Sequence, residues 1–179
     1  MSSLRNFYFL RAGAALVWVA LASLSASAPA LVVGALLALY PAWDALANVI
    51  DAQRSGGLQA NPGQKFNALT SVITAACMAV AFAIHGNAGG VLVFGVWAFL
   101  AGLFQLAVGI RRRKLGGQAF MMISGAQSVL AGGFFVTKSF GAAPTIAQLA
   151  PYAAFGGLYF LLSALWLTFK RSRPSVATE

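Results

Sequence analysis

The chain has 179 residues, 60% of them apolar and only 8% charged, and twelve basic residues against three acidic ones leave a formal net charge of +9. That is too little charged surface to keep a folded domain in water, so the composition excludes an ordinary soluble fold and points to the bilayer as the solvent. The basic excess does not indicate nucleic acid, because no soluble basic face with aromatic or groove-binding motifs accompanies it.

Six apolar runs, each near the roughly 20 residues that a helix needs to cross the hydrocarbon core, predict membrane spans at 7–25, 30–52, 66–84, 91–110, 120–136 and 146–169. The first is preceded by Arg5 and followed by Ala26-Ser27-Ala28, which resembles a secretory signal with its cleavage site. Pro29 directly after the cut suits cleavage poorly, so the run is expected to stay as a true span.

The second span carries Asp44 and Asp51 with Asn48 between them, spaced so that all three share one helical face. At about 1.5 Å per residue Asp44 lies roughly 12 Å below the boundary near Ala52, too deep for its short side chain to reach water. Asp51 sits at that boundary. Pro41 removes a backbone donor near Leu37, beside Tyr40 and the carboxylate. An intramembrane carboxylate must be paired, neutralised or used. Arg11, roughly 6 Å into the first span, is the expected partner, reached because the first two spans should form a hairpin.

Along the third span Asn67, Ser71 and Thr74 form a matching polar stripe, and the lone cysteine, Cys77, reads as a small packing residue. His85, the single histidine, is expected at the outer end, where it would gain charge as the outside acidifies. In the fourth span Gly95, Gly102 and Gly109 recur at every seventh position and invite close approach of another backbone. Gly125, Gly132 and Gly133 in the fifth are expected to do the same. Gln105 occupies the repeat position of Asp44, and Gln127 lies mid-span near Ser124 and Ser128; together these groups could line a narrow polar cavity or simply bond between helices. Phe7, Tyr8, Tyr152 and Trp166 fall at interfacial belt positions.

Basic residues orient the spans. Eleven lie at or near one set of ends, including Arg5, Arg11, Arg54, Lys65 and the run Arg111, Arg112, Arg113 and Lys114, whereas the opposite connections carry only Lys138. The positive-inside rule then puts both termini in the cytoplasm, with the Arg111–Lys114 run available to anionic lipid headgroups.

The chain also repeats. Leu31-Val32-Val33-Gly34 matches Leu92-Val93-Phe94-Gly95, with a weaker third copy around Gly157, Ala164, Trp166 and Leu167, at an offset of about 61 residues. Each copy is a two-span hairpin, so the repeats are parallel about an axis along the membrane normal. The triple hairpin, the apolar-Gly opening of each even span, and the segment 40–52 followed by Arg54-Ser55-Gly56-Gly57 resemble the HdeD-like membrane proteins of bacteria. The resemblance implies an all-α, six-span inner-membrane bundle of unknown function, in a family with some members linked to acid resistance.

Chemistry-bearing motifs are sparse. One histidine and one cysteine do not make a metal or haem site, no phosphate loop follows a strand, and His85 and Asp44 are placed toward opposite membrane faces, which excludes a triad. No cofactor or metal is expected, and catalysis is left only as acid chemistry on a lipid. Two functional classes stand: a non-enzymatic membrane protein of the stress or acid-response type, acting through packing, lipid or a protein partner, and a small transporter or proton-conducting channel with Asp44 as the titrating group.

Overall fold

The computed structural model describes residues 2–25, 27–111, 113–115, 119–141 and 144–171, and among them the only regular elements are helices. In chain order these are α1 (Ser2–Leu24), α2 (Ala30–Arg54), α3 (Pro62–Arg111), α4 (Ala119–Ser139) and α5 (Ala150–Arg171), with short 3-10 turns at Arg113–Leu115 and Ile146–Leu149. Four helical stretches are long and apolar enough to cross a membrane: Leu4–Leu24, Ala30–Arg54, Pro62–Arg111 and Ile146–Phe169. Many of their large apolar side chains face outward, with Leu31 84% and Leu130 75% exposed, as suits helices solvated by lipid.

The 50-residue α3 departs from two separate spans with a loop at 85–90. Only Gly86 leaves helical geometry, at φ 58° and ψ −142°, a conformation that suits a residue without Cβ. The chain reverses there. A Cβ at Gly89 would strike the Ala81 carbonyl, and Phe66 and Phe104, far apart in sequence, bring their ring centroids to 5.1 Å. Residues 62–85 and 87–111 are therefore two arms of a tight hairpin.

The turn between α2 and α3 is equally compact. Gly56 and Gly57 have φ of 96° and 89°, the Gly57 N–H donates to the Ala52 carbonyl at 2.7 Å, and Asn61 Nδ2 donates to the carbonyls of Ser55 and Gly57 at 2.8 Å each. Pro62 then opens α3 at a position where its missing N–H removes no helical bond.

Helices pair across the predicted hairpins more than within the first of them. Although consecutive, α1 and α2 touch little; α1 lies along α5, α2 along α3, and α3 along α4. The Arg11–Asp44 pair expected between the first two spans is nonetheless made, across two helices whose backbones lie mostly apart. Small residues make the close approaches. A Cβ at Gly102 would stand 2.7 Å from the Gly125 carbonyl oxygen, one at Gly95 2.9 Å from that of Gly132, one at Gly34 2.6 Å from the Phe82 ring, and one at Gly157 3.1 Å from the Ala15 methyl. Gly109 is buried on the same arm. Gly133 differs from the expectation: nothing lies within 4 Å of where its Cβ would stand.

The buried centre is aromatic as well as aliphatic. Phe94, fully buried, has Tyr40, Trp97, Phe135 and Tyr152 around it with centroids between 5.6 and 5.7 Å away. Tyr152 is half-buried against this cluster, and Phe7 is only 1% exposed, so both rings pack inward on neighbouring side chains.

Candidate intramembrane polar site

Asp44 is the hub of the polar interior. Arg11 Nη2 on α1 donates to its Oδ1 at 2.7 Å, while its Oδ2 accepts from Asn48 Nδ2 at 3.0 Å and from Ser71 Oγ at 2.9 Å. Asn48, one turn along α2, also donates to the Asp44 carbonyl at 2.8 Å, so it braces the carboxylate from its own helix instead of reaching across. Three donors from α1, α2 and α3 thus meet one acceptor-only group. Arg11 and Asp44 side chains are 14% and 26% exposed.

The guanidinium of Arg11 is held by more than its ion pair. It lies 4.1 Å from the Phe160 ring centroid on α5 and 5.9 Å from that of Phe7, and Phe7 meets Arg54 at 4.7 Å. A weakly hydrated planar cation suits such ring faces better than an ammonium would. Arg11 Nε is buried and has no hydrogen-bond partner among the described residues, so the attachment rests on Nη2 and the rings. Nearer the chain end of α2, Asp51 is half-buried and accepts from Gln64 Nε2 at 3.2 Å.

Trp18, two turns beyond Arg11 on α1, adds a second tie to α2 by donating from Nε1 to the Leu36 carbonyl at 2.7 Å. The acceptor lies in the stretch before Pro41, which offers no N–H to Leu37. Tyr40, one turn before Asp44 on α2, packs on Trp18 at 4.6 Å and on Trp97 at 6.0 Å.

The remaining predicted polar residues divide. Ser71 and Thr74 are buried, Ser71 on the carboxylate, but Asn67 is exposed and does not share their inward face. Gln127 accepts from the Tyr159 hydroxyl at 2.9 Å, and the Tyr152 hydroxyl meets Ser128 Oγ at 3.2 Å, forming a separate α4–α5 seam. Gln105 is half-buried on the arm that packs against α4. His85 and Cys77 are exposed, so Cys77 is not the packing residue expected. Arg111, Arg113 and Lys114 are exposed; Arg112 lies outside the described residues. No group of three His, Cys, Asp or Glu gathers among the described residues.

Sequence reasoning missed the ring seat of Arg11 and the Trp18 tie. Phe160 and Trp18 are ordinary apolar-span residues in sequence, and the carbonyl that Pro41 deprives of its helical donor is that of Leu37, one residue beyond the Leu36 carbonyl that Trp18 takes.

Comparison with family models, curated proteins and solved structures yields no match.

Proposed function

We propose that this chain is a bacterial inner-membrane protein of the HdeD-like kind: six spans in three parallel hairpin repeats, both termini cytoplasmic, acting without catalysis through its packing, its lipids or a protein partner in a stress or acid response. Counting the two arms of α3 as separate spans supports the six passages. The neighbour pattern supports close packing of the six in pairs, the second span with the third, the fourth with the fifth and the sixth with the first. Eleven basic residues against Lys138 support the orientation. Exposed Arg111, Arg113 and Lys114 suit anionic headgroups on the cytoplasmic side.

The observation that carries the non-transport reading is the occupation of both Asp44 oxygens by Arg11, Asn48 and Ser71. A carboxylate tied into three helices fixes their register, whereas a proton carrier must exchange with a wet path. The second reading, a small transporter or proton-conducting channel using Asp44, draws on the exposure that this side chain retains. Proteoliposomes under an imposed pH gradient separate the two. Wild type is expected to leak protons no faster than empty vesicles. Fast wild-type flux that Asp44→Asn abolishes would establish the channel instead.

A further inference from the structure

The apolar core that the helices share fills only one half of the molecule. Trp18, Leu37, Met78, Phe94, Phe135 and Leu149 belong to it, and each stands toward the end of the bundle that holds Gly86, away from Arg54 and Lys65. In the other half burial follows the helix pairs instead, as where Gly102 meets the Gly125 carbonyl on α4 and Ser71 meets Asp44. One stripe on the second arm of α3 crosses between the halves. Phe94, Ala98, Ala101 and Gln105, three or four residues apart, share a helical face. That face looks into the bundle: Gly95 and Gly102 pack on α4 to one side of it, Trp97 and Phe104 meet Tyr40 and Phe66 to the other, and Val96, Leu100 and Leu103 take the opposite, lipid-facing side. Along the stripe Phe94 and Ala98 are fully buried, yet Ala101 is exposed and Gln105 half-buried. The second span repeats the step. Leu37 is fully buried, and Asp44, seven residues on and on the same face, is 26% exposed although it points away from the lipid-facing Leu39 and Leu46. On α5, Ser163 is exposed three turns beyond Tyr152, on the face that Tyr152 turns to the ring cluster.

We infer that the half of the bundle nearer Arg54 encloses a blind vestibule of water, lined by Asp44, Ala101, Gln105 and Ser163 and floored by the rings around Phe94, which wets the Arg11–Asp44 pair from the cytoplasm; the side rests on the orientation proposed above. The walls agree in depth. From Tyr40 to Asp44 the helix advances about 6 Å and from Phe94 to Ala101 about 10 Å, and Tyr40 meets Phe94 at 5.7 Å. Both stripes therefore leave the ring cluster for open space within about one turn of each other. Chemistry decides what fills that space. A carboxylate has acceptor sites beyond the three donors that Asp44 meets, and hydrocarbon satisfies none of them, whereas water does. The floor makes the vestibule blind. With Phe94 and Ala98 fully buried and Tyr40, Trp97 and Tyr152 packed around the Phe94 ring, water that reaches Asp44 stops there and completes no path across the membrane.

The full-length protein carrying Cys77→Ser, placed in lipid nanodiscs, is treated with a small, charged, membrane-impermeant methanethiosulfonate, and single cysteines are compared by their rates of modification. Ala101→Cys is expected to react at least about tenfold faster than Leu103→Cys, its lipid-facing neighbour at nearly the same depth, because a thiol against hydrocarbon stays un-ionised. Ala98→Cys, on the same stripe but within the floor, is expected to react as slowly as Leu103→Cys. Equal rates at Ala101→Cys and Leu103→Cys, the result if lipid tails fill the space, overturn the vestibule. A rate at Ala98→Cys that matches Ala101→Cys overturns its closed floor. The same reagent applied to spheroplasts and to inside-out vesicles assigns the side: Ala101→Cys is expected to react only in inside-out vesicles. Reaction only in spheroplasts would leave the vestibule standing and overturn the orientation.

Discussion

Arg11 ties three helices together: it touches Asp44 on α2, Phe160 on α5 and Phe7 on its own helix. Because the backbones of α1 and α2 touch little, side chains hold them in register: the ion pair, the Trp18 bond, and the Trp18–Tyr40 and Phe7–Arg54 contacts. Arg11→Met keeps an apolar stem against Phe160 but leaves Asp44 with two donors. It is expected to lower stability in detergent by about 2–3 kcal/mol, the scale for a charged hydrogen bond lost from a partly buried pair. The double variant Arg11→Met with Asp44→Leu removes both charges and should recover part of that loss, since it leaves no carboxylate without its cation. Thermal unfolding of both proteins checks this; a double variant less stable than Arg11→Met alone would contradict it.

At the scale of helices, contact depends on which glycines face a neighbour. Gly102 and Gly125 lie against each other's backbone, so a Cβ at Gly102 meets the Gly125 carbonyl and the Val129 N–H at 2.7 and 2.6 Å, atoms that move only if the helices part. Gly102→Val is expected to cost about 1–3 kcal/mol by overpacking, whereas Gly133→Ala, with open space around it, should lie within about 0.5 kcal/mol of wild type. Equal effects of the two substitutions on the thermal midpoint would show that the α3–α4 contact does not depend on the close approach at Gly102. Gly86 has a different role. At φ 58° it lets two apolar arms reverse with almost no loop, which keeps Phe66 opposite Phe104.

The whole molecule is three helix pairs held closely by small residues: α1 with α5, α2 with the first arm of α3, and the second arm with α4. The pairs meet one another mainly through rings and polar bonds, among them Arg11–Asp44, Trp18–Leu36, Tyr159–Gln127 and the cluster around Phe94. The orientation proposed for the whole rests on the distribution of basic residues. In spheroplasts of a Cys77→Ser background, a membrane-impermeant thiol reagent is expected to label Ser27→Cys and to spare Lys114→Cys until the membrane is permeabilised. The reverse pattern would invert the topology.

Much of this was legible in the residues. Apolar runs near 20 residues long mark helices because a backbone in lipid must satisfy its own hydrogen bonds, and that requirement does not depend on neighbours. The Arg11 and Asp44 charges were legible as partners for a similar reason, since each is costly alone at that depth. The folded chain supplied what such local rules lack. Asn67 and Ser71 are four residues apart on one predicted stripe, yet only Ser71 reaches the carboxylate, because the rotation of α3 about its axis is set by Gly34 packing on Phe82 and Gly90 on Leu37. Gly133 looks like Gly132 in sequence and differs only in what stands opposite. Helix existence and charge placement were therefore determined by composition and spacing alone; which helices became neighbours, and which face each turned inward, was decided by side-chain shape between segments far apart in the chain.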